Sequence, residues 1–199
     1  AVAHMENVYV ADVKGWKDIT DVSNEVAKAG GKFKTVVLDN MSEFQQVNLK
    51  GIVGNGMPQI QHYGQNTSEM LNFSRLWRDI SRDTGVNVIF IAWESPEKDE
   101  STGVIKRDLG FTPSLAKQFP GIIDIVGYLT VDNKGLRVLN FAPSVRNAAK
   151  FRRSQTEVAM QIPLQLTYGL NEYPMVDLLN TLKGGLEWPS GKYLKKQPE

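Results

Sequence analysis

The sequence predicts an α/β fold built on a mostly parallel sheet flanked by helices, with an antiparallel hairpin towards the C-terminal end. Three observations carry that expectation. Residues 35–38, Thr-Val-Val-Leu, are β-branched or aliphatic and uncharged, the composition of a strand buried on both faces, and the run stops at Asp39. Residues 86–93 (VNVIFIAW) form a second apolar run, and it too stops at a carboxylate, Glu94. Residues 7–13 (NVYVADV) read as a strand, and Ile19, Val22 and Val26 then recur at helical spacing before Gly30-Gly31. Strand, helix and strand in that order imply a right-handed parallel crossover.

The remaining elements follow in chain order. Residues 42–50 read as a short helix leaving the first apolar strand. Residues 51–65 (GIVGNGMPQIQHYGQ) read as a long loop, with His62 as an exposed loop histidine. Asn66 and Glu69 have the spacing of a capping box, which places Asn66 at the N-cap of a helix ending near Gly85. Met70, Phe73, Leu76, Trp77 and Ile80 share one face of that helix and are read as core. Residues 95–110 form a charged, turn-rich connection, read on composition as a solvated loop. Thr112-Pro113 caps and opens a helix through Phe119. A strand over 122–131, a turn at 132–135 and a returning strand over 136–141 make the hairpin. A last helix over 174–183 has Val176, Leu179 and Leu182 inward.

Composition narrows the function classes. With 199 residues the chain suits one domain with a real core; residues 1–185 are expected to form it, with 186–199 as a basic, flexible tail. Cysteine is absent, which excludes disulfides and thiolate metal sites and is compatible with a reducing cytoplasm. Two histidines, His4 and His62, make no histidine metal centre. No apolar run has the length of a membrane span, and the first residues carry no charged-then-apolar signal pattern. The net charge of +1 offers no global case for nucleic-acid binding, which must rest on local clusters.

The chemistry-bearing positions lie where the apolar strands end. An acid at the carboxyl end of a parallel strand stands where open α/β sheets bind ligands, and in P-loop nucleotide hydrolases such a carboxylate orients the Mg²⁺ that carries the phosphates. The plainer reading of Asp39 is the N-cap of the following helix. Residues 146–153 (RNAAKFRR) place four cations in eight positions with no acid, which fits a phosphate-reaching cluster, a solvated basic face or a nucleic-acid backbone contact.

Taken together, KTVVLDNMSE, MLNFSRLWRDISRDTG, NVIFIAWE, the KDESTG turn, FTPSLAKQFPGIIDIVGYL and AAKFRR resemble, in order and spacing over most of the chain, the RecA-like ATPases of bacteriophages. Within them it looks close to the Sak-type single-strand annealing recombinases. It implies ATP and Mg²⁺ as cofactors, Asp39 as the Walker B carboxylate and Mg²⁺ contact with Asn40 beside it, and Glu94 or Trp93 at a sensor position. It implies rings or filaments with ATP between subunits, where Lys150 and Arg152 reach the neighbour's phosphates. It also implies single-stranded DNA as a partner, with Lys98, Lys106, Arg107 and Arg153 as backbone contacts, and a place in the cytoplasm of a bacterial host.

One departure is marked. The motif G-x-x-x-x-G-K-[ST] does not occur: Gly31-Lys32 precedes Phe33, Gly191-Lys192 precedes Tyr193, and neither has the required upstream glycine. In the resembled family that loop, with its strand and helix, precedes the matching pieces, so the expectation is a RecA-like core without its N-terminal P-loop segment. Two functions follow from it. One is a Mg²⁺-dependent ATPase of DNA recombination; the other is a scaffold that keeps the fold for assembly or DNA binding without nucleotide turnover.

Overall fold

The structure is a computed structural model that describes residues 7–144, 147–152, 162–169 and 172–184. Contacts divide the chain into two compact units. One comprises Ala1–Ser95 with Leu109–Ile122, the other Pro96–Asp108 with Ile123–Glu199.

The first unit is chiefly a helical layer carrying a small parallel sheet. Its helices are α1 (Trp16–Lys28), α2 (Met41–Val53), α3 (Ile60–Thr84) and α4 (Pro113–Ile122). Strands β1 (Thr35–Leu38) and β2 (Asn87–Phe90) pair in parallel, with Thr35 opposite Asn87 and Leu38 opposite Phe90. Met70, Phe73, Trp77 and Ile80 of α3 are buried, as the helical periodicity requires, and Ile19, Val26, Leu115 and Phe119 close the core around them. Leu76, expected on that face, is instead 44 % exposed. Trp16 stacks on Phe44 at 5.2 Å, and both meet Phe73, so α1 and α2 lock onto α3 through rings.

Several expectations change here. Residues 7–13 form no strand; Tyr9 packs edge-on to Phe33 at 5.6 Å, but no neighbouring edge takes up the backbone. β1 is not buried on both faces: its burial alternates, and Val37 is 52 % exposed. Successive strand side chains point to opposite faces, so only one face of β1 is covered. The loop expected over 51–65 shrinks to residues 54–59, because α2 runs to Val53 and α3 starts at Ile60. Asn66 is therefore not an N-cap. It lies a turn and a half inside α3, fully buried, where its Oδ1 accepts from Asn48 Nδ2 at 3.0 Å and its Nδ2 donates to Gln45 O at 3.2 Å. His62 caps instead: its Nδ1 accepts the Gln59 N–H at 3.1 Å.

The span 95–110 is a β-ribbon, not a loop. Strands β3 (Glu94–Lys98) and β4 (Ile105–Leu109) pair across a turn. The Asp99 carboxylate takes the Ser101 N–H, the Ser101 hydroxyl and the Thr102 N–H, while Gly103 supplies a left-handed φ of 69°. These bonds hold Asp99 below its ordinary pKa, the Ser101 hydroxyl contributing most.

In the second unit, β6 (Tyr128–Val131), β7 (Arg137–Asn140) and β9 (Gln165–Tyr168) form an antiparallel sheet in that order, and β5 (Ile125–Val126) pairs antiparallel with β8 (Lys150–Phe151). The hairpin expected around residues 132–135 is present, with Asp132 Oδ1 accepting from Lys134 N and Leu136 N. The strand expected over 122–131 is shorter and broken at Gly127, where an added Cβ would stand 2.8 Å from Leu139 Cδ1 and 2.9 Å from Phe141 Cε1. Helix α5 (Pro174–Gly184) buries Leu178 against Leu139, Phe141, Ile162 and Leu166; Val176, expected inward, is exposed. Among the described residues the fold is thus mixed α/β with small sheets, and its one parallel sheet has two strands. Of the expected mostly parallel RecA-like sheet, the described residues show this one two-stranded pair. Residues 186–199 lie outside the described residues.

Candidate nucleotide site

The end of β1 and the start of α2 are knitted to the segment after β2 by the backbone. Ile91 N–H donates to Leu38 O at 3.0 Å, and Met41 N–H donates to Ile91 O at 2.7 Å. Ser42 Oγ accepts the Trp93 N–H at 3.0 Å, and Asn40 Oδ1 caps α2 by accepting the Glu43 N–H at 2.8 Å. The Asp39–Asn40 peptide is cis. Within this frame Asp39 is exposed, and its carboxylate has no hydrogen bond or ion pair among the described residues. The N-cap alternative for Asp39 falls away, since Asn40 takes that role.

Glu94 does not end β2. That strand stops at Phe90, and Glu94 opens β3. Trp93 is 48 % exposed, and its carbonyl accepts the Gly110 N–H at 2.7 Å. Asp39, Asn40, Ser42 and Trp93 are therefore tied into one backbone corner, with Glu94 next along the chain.

The Mg²⁺ ion of a nucleotide is held by one or two carboxylates plus phosphate oxygens and waters. An unengaged carboxylate such as Asp39 fits one of those places. No cluster of three or more His, Cys, Asp or Glu residues that could hold a metal occurs among the described residues. The phosphate side fits less well. Two of the first-turn α2 donors that could meet an anion are taken, Met41 N–H by Ile91 O and Glu43 N–H by Asn40 Oδ1. Gly30 and Gly31, with positive φ, lie before β1, at the end opposite Asp39. These residues can serve the cation and do not by themselves cradle the phosphates.

In the second unit, Lys150 and Arg152 lie two residues apart at β8. Lys150 Nζ donates to Ile123 O at 2.7 Å, and Arg152 Nη1 pairs with Asp124 Oδ1 at 3.0 Å. Partial burial pushes the Lys150 ammonium below its ordinary pKa, the neighbouring Arg152 charge adds to that, and Asp124 opposes it. Asp124 carries no role in the sequence reading. Its only signal there is an isolated acid within the apolar run IIDIV.

The ribbon cations do not make one basic face. Lys106 shares a hollow with Glu97 and Asp99 and pairs with Asp108 at 3.4 Å. Strand alternation puts Lys98 and Arg107 on the other side, where the Arg107 carbonyl accepts the Ala148 N–H. Arg153 lies outside the described residues. A second hollow lies between α3 and α4, lined by Leu71, Arg75, Ser114 and Gln118 among others, and it does not include Asp39.

A parallel strand pair releasing an unengaged acid into a helix is the arrangement of nucleotide-handling α/β proteins. Residues 1–153 match the family described as AAA domain, more than three quarters of the sequence, and the chain belongs to that family. Its class is thus nucleotide-binding and ATPase-like, and members of the family generally bind ATP with Mg²⁺. No curated protein and no solved structure matches the chain. No helix among the described residues is long and apolar enough to cross a membrane.

Proposed function

We propose that this protein is a Mg²⁺-dependent, ATP-binding and ATP-hydrolysing protein of the RecA-like phage type, acting in DNA recombination or single-strand annealing. The observation that carries the reading is Asp39, an exposed acid without a partner among the described residues at the carboxyl end of β1, inside a frame where Asn40 Oδ1, Ser42 Oγ and the Met41 N–H are engaged. Its carboxylate takes one coordination place on a hydrated Mg²⁺. Lys150 and Arg152 supply charge to phosphates bound by a neighbouring copy in a ring or filament. Single-stranded DNA is the partner, contacted by Lys98 and Arg107 on one side of the ribbon; Lys106, among acids, contributes less. The phage and recombination parts of this reading rest on the resemblance of the sequence.

A second reading is favoured by the engagement of the Met41 and Glu43 N–H donors at the start of α2. In it the fold serves assembly or DNA binding without nucleotide turnover. A titration with a fluorescent ATP analogue and Mg²⁺, beside Asp39→Ala, separates the two. Saturable, Mg²⁺-dependent binding that the substitution abolishes supports the first reading. Absence of binding by a folded chain overturns it and leaves the scaffold.

A further inference from the structure

We propose that Asp124 is an internal competitor for the phosphate that Arg152 contacts, so that it sets how strongly the Lys150–Arg152 pair takes polyphosphate. The inference rests on the reading of that pair as phosphate-reaching. Arg152 follows directly on β8, two residues after Lys150, and both cations are held by consecutive residues that follow α4. The ammonium of Lys150 sits on Ile123 O, and the guanidinium of Arg152 sits on the Asp124 carboxylate. The Asp124 carbonyl also accepts the Arg152 N–H at 2.9 Å, which fixes the backbone of both residues whatever the side chains do. The side-chain bond can therefore exchange without disturbing the β5–β8 pairing.

The pair is well placed to exchange. Its side chains are 58 % and 70 % exposed, so water can replace either partner, and the bond uses one guanidinium nitrogen, Nη1. A phosphate can engage the fork through two parallel N–H···O bonds and brings more charge than a carboxylate. The two cations lie two residues apart beside Asp124; Arg152 disfavours the charge on Lys150, and a polyanion relieves that repulsion. Asp124 thus acts as a stand-in that phosphate must displace. Because exposed ion pairs are weak, the handicap it imposes is about two- to fivefold in affinity.

The test is the affinity for inorganic triphosphate by calorimetry at low ionic strength, on the whole chain. The proteins are wild type, Asp124→Asn, Arg152→Gln, Lys150→Gln and the Asp124→Asn/Arg152→Gln double variant. Arg152→Gln should weaken binding, and Asp124→Asn should tighten it about two- to fivefold. The gain should vanish in the Arg152→Gln background. Asp124→Ser serves as a second variant should the asparagine disturb folding. A gain that persists without Arg152 would mean only a change of net charge, and would overturn the proposal. So would an unchanged or weaker Asp124→Asn beside a weakened Arg152→Gln, although the phosphate reading would then survive. If Arg152→Gln and Lys150→Gln both bind as wild type does, the phosphate reading fails and takes this proposal with it.

Discussion

Substituting Asn66 separates two accounts of the α2–α3 connection. In the structure Asn66 is fully buried and bridges α2, accepting from Asn48 Nδ2 and donating to Gln45 O. Asn48 keeps a second acceptor, Glu69 Oε2 at 2.8 Å. Asn66→Ala removes two bonds worth about 1 kcal/mol each net and leaves a small void, so it should cost roughly 2–3 kcal/mol. Asn66→Asp keeps the acceptor but loses the donor. It sets a buried carboxylate against the Gln45 carbonyl, near the Glu69 carboxylate, at a cost of about 3 kcal/mol or more. At an N-cap the order would reverse, since aspartate caps as well as asparagine and alanine costs about 1 kcal/mol.

The assay is thermal unfolding by far-UV circular dichroism. For a chain of this size about 3 kcal/mol lowers Tm by roughly 6–12 °C. The sign of the pH dependence adds a second check. Burial would raise the pKa of the carboxyl that Asn66→Asp introduces. The stability deficit of that variant should therefore narrow as pH falls and the carboxyl regains a proton that can be donated to Gln45 O. An Asn66→Asp protein as stable as wild type at neutral pH would refute the buried bridge.

Gly110→Ala should destabilise by about 1–3 kcal/mol in the same melt, because its Cβ would stand 3.0 Å from Trp93 O and 3.2 Å from Trp93 C, backbone atoms that cannot swing aside. Gln45→Ala should cost roughly 2–3 kcal/mol in a urea titration, since its amide both donates to Thr112 Oγ1 at 2.7 Å and accepts the Thr112 N–H at 3.1 Å, tying α2 to the start of α4. The Asp99 pKa is depressed in the folded ribbon, so the turn's extra stability is present above the ordinary carboxylate value of about 3.9 and is lost as pH falls below it; the Ser101 and Thr102 amide resonances should shift with a midpoint below that value. Asp39→Ala should leave stability within about 0.5 kcal/mol of wild type, as expected for an exposed side chain with no bond; a larger loss by the same melt would show the carboxylate to be structural.

The sequence was readable where the structural signal is local. Gly30-Gly31 stops α1, Thr112-Pro113 opens α4, and the Asp132 turn fixes the β6–β7 hairpin, each through chemistry held within a few residues. The failures have two physical sources. The first turns of α3 carry Gln, Asn and Gly, and the residues they bury, Asn66 and Thr67, are polar; a helix with a hydrogen-bonded polar seam inverts the pattern that periodicity detects. The β3–β4 ribbon is exposed along β3, so ESPEK shows no alternation, and only the Asp99–Gly103 turn betrays it. At the site, the position of Asp39 at the end of β1 could be read from an apolar run meeting an acid. The partner of Arg152 could not, because Asp124 lies 28 residues away and is brought to it only by β5–β8 pairing.

The polar groups around Asp39 divide by what already occupies them. Asn40 Oδ1 and Ser42 Oγ each accept a backbone N–H, and Met41 N–H is spent on Ile91 O, so changing either side chain would loosen the α2 start itself. Loss of a cap of this kind costs about 1 kcal/mol, enough to blur any binding defect with a folding defect. Asp39 carries no such duty. Arg152 is an intermediate case: its backbone is held by Asp124 O, while among the described residues its guanidinium is held only by an exposed carboxylate. The groups free to meet a cation or a phosphate are thus the ones the fold does not use for its own stability, and the backbone corner that presents Asp39 is built from the ones it does. Chemistry at Asp39 and Arg152 can therefore be probed by substitution without first solving a stability problem, whereas substitutions at Asn40 or Ser42 cannot distinguish a lost ligand from a frayed helix.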